Sequence, residues 1–156
     1  MPSSAVFYPS AAPMPFSSAV RANGFLLLSG QIPFEAGKPF TGPIEAQTHL
    51  VLKAIASTLE GLGSSMDQVV KCTVWLSDLA HFAAFNEVYK SYFREGQYPV
   101  RSLVQAQLAT QVLQGGTVEA SAELAQSDAG EVRPSPMVDA SPGDEPPLQS
   151  GHPSFE

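Results

Sequence analysis

A chain of 156 residues with 44% hydrophobic content can bury one substantial core but is short for two full domains. Its formal charge of -7 argues against a binder of nucleic-acid phosphates, a role that needs a basic stripe. One cysteine, Cys72, excludes a disulfide framework or a cysteine metal cage, and its place in an apolar run points to a buried small hydrophobe and a reducing compartment.

The first basic residue is Arg21, so the N-terminus lacks the positive region of a secretory signal and the arginine-rich character of a presequence. No apolar run approaches the ~18 residues of a membrane span. A cytoplasmic protein without membrane partners is the expectation.

Residues 1–14 mix Ser, Ala and Pro without periodicity and read as a flexible arm. Ala22-Asn-Gly24 then separates two short runs. Asn-Gly is a strong local signal for a type I′ hairpin, because both residues accept positive φ, so 17–21 and 25–29 are predicted to pair. Phe25-Leu-Leu-Leu28 is continuously apolar, which predicts a strand covered on both faces. Gly30 follows, open either to close approach of a ligand or to a plain strand exit. Residues 35–42 read as a loop.

A helix is predicted from about Pro43 to Leu59, with Gly61 just past its end and Ile44, Thr48, Val51, Leu52, Ile55 and Leu59 as the buried stripe. His49 reads as a surface residue. Alternation in Val69–Leu76 places Val70, Cys72, Val74 and Leu76 on one face and Lys71, Thr73 and Trp75 on the other. Ser77-Asp78 caps a second helix, roughly Leu79 to Phe93, with Phe82, Phe85, Val88 and Tyr92 as core; His81 and Asn86 are its polar exceptions.

Gln97-Tyr-Pro-Val-Arg-Ser102 sets one arginine at the mouth of the strand 101–108. Pro99 suits a strand's beginning, since it cannot donate to a ladder. The Arg101 guanidinium is a rigid charged fork that matches a carboxylate, although spacing alone favours an ordinary surface arginine at a strand end. In a last strand, 117–124, Val118, Ala120, Ala122 and Leu124 share one face, leaving Glu119, Ser121 and Glu123 on the other. If this strand pairs with 101–108, a carboxylate lies near the arginine; otherwise the three polar positions face water. Residues 127–156 hold six prolines and six acids against Arg133, a net -5 that leaves about -2 on the remainder, and read as a disordered acidic tail.

These elements predict an α+β domain over 15–126, with two helices on one side of a mixed sheet. Several blocks together, Pro15-Phe-Ser-Ser-Ala-Val20, Phe25–Pro33, Val69–Leu79, Phe85-Asn-Glu-Val-Tyr89 and Tyr98-Pro-Val-Arg-Ser102, resemble the reactive intermediate deaminase (RidA/YjgF) family in that family's order. The resemblance implies a chorismate-mutase-like homotrimer with sites between subunits, hydrolysing 2-imino acids such as 2-iminopropanoate to 2-keto acids and ammonia without metal or organic cofactor. It assigns Arg101 to the substrate carboxylate and Glu119 to the attacking water. Phe16, Ser29, Gly30, Asn86 and Leu103 would line the pocket, Phe16 standing where the family usually has tyrosine and Leu103 where it often has cysteine. The connection 109–116 replaces the usual Leu-Pro turn, and Ser121 a second glutamate. Alternative expectations are a trimeric small-carboxylate-binding module without turnover, or RNA cleavage and translational inhibition, which the acidic balance disfavours.

Overall fold

The computed structural model describes residues 5–108 and the backbone of 118–125. The predicted tail, the connection 109–116 and the side chain of Glu119 lie outside that description. Among the described residues, eight strands and two α-helices form one mixed six-stranded sheet, a separate two-stranded ribbon and a helical layer.

Asn23 (φ 50°) and Gly24 (φ 77°) both take the left-handed region, turning β2 (Ser17–Ala22) into β3 (Phe25–Leu28) with Ala22 opposite Phe25 and Ala19 opposite Leu28. The arm contains a strand that the sequence reading missed: β1 (Val6–Pro9) pairs antiparallel with β2, Tyr8 opposite Ala19. The loop at 35–42 likewise includes a two-residue ribbon, β4 (Phe34–Glu35) and β5 (Lys38–Pro39), turned by Ala36 and Gly37 at positive φ.

Helix α1 spans Ile44–Gly61, and every residue of the predicted stripe is buried, together with Gln47. Pro43 caps it without a side-chain hydrogen bond, so packing holds it. Each fully buried aliphatic contributes roughly 1.5–3 kcal/mol, against about 1 for a cap. Thr48 Oγ1 donates to the Ile44 carbonyl at 2.7 Å and Gln47 Nε2 to that of Gly42 at 2.6 Å, which makes these two polar residues tolerable inside. The end lies two residues beyond the predicted stop. Gly63 (φ 76°) donates to the Glu60 carbonyl at 3.1 Å and Ser64 to that of Leu59 at 2.8 Å, a Schellman closure, while Arg21 Nη2 donates to the Leu62 carbonyl at 2.8 Å.

Strand β6 (Val69–Leu76) buries Val69, Cys72, Val74 and Leu76. Val70, predicted inside, is 43% exposed, because an irregularity between Val69 and Lys71 shifts the alternation. Asp78 Oδ1 accepts from Ala80 N at 2.8 Å and starts a 3-10 turn, Leu79–His81, that feeds α2 (Phe82–Lys90). That helix carries the chain back so that β7 (Val100–Gln105) runs parallel to β6, with Cys72 opposite Arg101. The last described strand, β8 (Val118–Ala125), inserts antiparallel between β3 and β6, giving the order β1-β2-β3-β8-β6-β7.

Both helices pack on the face that carries Ala19, Leu26, Leu28, Cys72, Val74 and Leu76. The opposite face is left open by the described residues: Phe25, Leu27, Val100 and Val104 stay 46, 41, 68 and 46% exposed. Phe25–Leu28 is therefore covered on one face of a single chain, not on both as its apolar run predicts.

Candidate functional site

Register decides which side of the sheet each predicted residue serves. Arg101 is paired with Cys72, a core-facing residue, so its side chain rises on the helical face at the sheet's edge, beside α2. There a cleft of about 430 Å³ is lined by Asn86, Glu87, Tyr89, Lys90, Tyr98, Pro99 and Arg101. Pro99 and Tyr98 set the approach to β7, and α2 supplies the facing wall.

The arginine sits among rings. Its guanidinium carbon lies 4.7 Å from the centroid of Tyr89, 5.7 Å from Phe85 and 5.9 Å from Phe82. Lys90 pairs with Glu87 at 2.5 Å on the cleft's outer rim and Arg94 with Asp67 at 2.7 Å; no described carboxylate pairs with Arg101. Behind it, burial pushes the Cys72 thiol up, with Tyr89 and the Arg101 charge pulling the other way. The Tyr89 hydroxyl is enclosed without a hydrogen bond of ordinary geometry, its polar neighbour being that thiol, and burial raises the phenol strongly. A half-buried cation in an open cleft, paired with no described carboxylate, can take a carboxylate edge-on. Among the described residues no group of three or more His, Cys, Asp or Glu gathers to hold a metal ion.

Asn86 lines this cleft together with Arg101. Leu103 does not line it: paired with Val74, it packs half-buried against the core. The remaining predicted residues gather elsewhere. Ser29 Oγ donates to the Ser17 carbonyl at 2.6 Å and Ser29 N to that of Ser18 at 3.0 Å, so Phe16, Ser29 and Gly30 sit together where β2 begins and β3 ends. On the other side of β3, Leu27 pairs with Glu123 of β8.

The strands bearing Arg101 and Glu119 do not pair, contrary to the condition on which the sequence reading would bring them together: β6 lies between them. Position 119 is opposite Trp75, and Arg101 opposite Cys72. Three residues apart along β6, the two positions fall on opposite faces, about 10 Å along and about 10 Å across the sheet. Within one chain Arg101 and Asn86 thus stand apart from position 119, while positions 16, 29 and 30 gather where β2 begins and β3 ends. Sequence reasoning missed Tyr89, although its spacing of four from Phe85 was an available helical signal.

A mixed sheet backed by two helices, with an arginine in a cleft at its edge that pairs with no described carboxylate, defines a small α+β protein. The chain belongs to the YjgF/Rid family: the family model described as "Endoribonuclease L-PSP" matches residues 9–123. A RutC family protein of Pyrococcus horikoshii is 43% identical over 93 residues, 58% of this chain and 73% of that protein. The chloroplastic Reactive Intermediate Deaminase A of Arabidopsis thaliana is 40% identical over 93 residues, 58% of this chain and 49% of that protein. Among solved structures, a Rid family protein of Yersinia pestis superposes with a TM-score of 0.70 at 32% identity, covering 78% of this chain and 99% of that one.

Proposed function

We propose that the protein hydrolyses small 2-imino acids, or their enamine tautomers, to 2-keto acids and ammonia in sites assembled between copies of the chain, three in a homotrimer. The observation that carries this reading is Arg101, half-buried in an open cleft and paired with no described carboxylate, the Glu87 of the same cleft being held by Lys90. The likeness to Reactive Intermediate Deaminase A supports the reaction class, and the uncovered apolar sheet face supports an assembly that would cover it.

A small imino acid offers one fixed charge, and a charge-assisted arginine contact contributes roughly 1.5–3 kcal/mol. With the carboxylate held at Arg101, water adds through oxygen to C2 of the C=N group, giving a carbinolamine. The C–N bond then breaks as the nitrogen takes up protons, releasing ammonia and the keto acid. Glu119 of a second copy, beside that copy's Ser29 and Gly30, would take the water's proton and return it to nitrogen. A positioned carboxylate typically accelerates such a step about 10²–10⁴-fold.

The test generates 2-iminopropanoate in situ and follows pyruvate formation. Wild-type protein should accelerate it over buffer and Arg101→Ala should not; an equally active Arg101→Ala would sink the proposal. Phe16, with no hydroxyl where the family usually has tyrosine, favours a second reading, a carboxylate-binding module without turnover. Calorimetric binding of a 2-keto acid with no measurable hydrolysis would select it.

A further inference from the structure

A guanidinium has two unlike surfaces. Its faces are weakly hydrated and stack on rings, whereas its edge carries all five donors. Around Arg101, Tyr89, Phe85 and Phe82 lie 4.7 to 5.9 Å from the guanidinium carbon. An arginine held by a carboxylate would have part of its edge occupied and its charge neutralised. Rings attract the cation and do neither.

Phe85 is core, 1% exposed, and would be present whatever the arginine did. Phe82 is different. It stands at the first residue of α2 and is 43% exposed, so core packing does not account for it. Tyr89 is 5% exposed and its hydroxyl has no partner of ordinary geometry, so the group distinguishing it from phenylalanine is not what anchors it.

We propose that Tyr89 and Phe82 are positioning residues forming an aromatic seat that fixes the Arg101 guanidinium, edge outward, before ligand arrives. This rests on the reading of Arg101 as the carboxylate anchor and adds which residues tune its affinity. The seat limits the rotamers the arginine loses on binding and does not neutralise its charge, so a carboxylate meets a preorganised fork.

Arg101→Ala, Phe82→Leu, Tyr89→Leu and Tyr89→Phe are made in the full chain. Binding of 2-oxobutanoate is measured by calorimetry, and KM and kcat with imines generated in situ. Phe82→Leu should weaken binding about fivefold and Tyr89→Leu about tenfold, with the loss in KM rather than kcat. Tyr89→Phe, which keeps the ring, should recover the affinity lost in Tyr89→Leu. If Arg101→Ala abolishes binding while both leucine variants bind like wild type, the seat is refuted and the anchor stands. If Arg101→Ala binds like wild type, the anchor itself is refuted. Should Tyr89→Leu fail to fold, the exposed Phe82 position decides alone: unchanged affinity in Phe82→Leu overturns the proposal.

Discussion

Because Arg101 and position 119 lie on opposite faces with β6 between them, two inactive proteins should make an active one. Arg101→Ala and Glu119→Ala are purified separately, each expected to be without activity. They are mixed in equal amounts and allowed to exchange subunits under mild denaturant. At each seam the arginine side comes from a Glu119→Ala chain half the time, and the glutamate side independently from an Arg101→Ala chain half the time. An intact site then forms at about one quarter of seams, so the mixture should recover about one quarter of wild-type turnover, whatever the number of copies. Turnover is read from keto-acid release and exchange from mass spectrometry of differently tagged chains. Were both groups to act from the same chain, every site would keep one lesion. Verified exchange without recovery would therefore refute the split site.

Gly63 and Gly61 both have open space where a Cβ would stand, but only Gly63 has positive φ. Gly63→Ala should therefore cost about 1–2 kcal/mol in urea unfolding, and Gly61→Ala should stabilise by up to about 1 kcal/mol. Burial raises the Cys72 thiol above its ordinary value of 9.0. Above that pH the unfolded chain loses a proton the folded chain keeps, so stability falls as pH rises, by up to about 1.4 kcal/mol per unit. Cys72→Ala should abolish the decline that starts near 9 and leave the one from Tyr89, whose ordinary value is 10.0; an unchanged profile would contradict this. Leu27→Lys, on the uncovered face, should yield a folded monomer in sedimentation velocity; an assembly of wild-type size would show that this face is not the interface.

Local chemistry made the hairpin legible: Asn23 and Gly24 are residues that accept the turn, and they take it. The stripe of α1 was equally plain, because a helix repeats its buried face within the chain. What escaped was set by distant partners. β1 is four residues in a Ser, Ala and Pro background and is a strand only because β2 offers an edge. The shift at Val70 arises from pairing with β8, which the period of two in β6 alone does not reveal. Leu103 sits two residues from Arg101 and shares its face, yet the cleft is bounded by α2, so Leu103 meets the core. For the same reason Arg101 and Asn86 come together within one chain, whereas position 119 lies across β6 from the arginine. Motif order conveys which residues are matched but not where the sheet's register places them.

The sheet's order has a consequence for synthesis. β8, the last described strand, is the one that joins β1-β2-β3 to β6-β7. While the chain is still emerging from the ribosome, the two portions each expose a strand edge that only β8 pairs in the finished sheet. Cooperative closure must wait until residue 125 is free, a long-range event that slows folding. During that interval, a strand of another nascent chain could occupy the gap in place of the proper one.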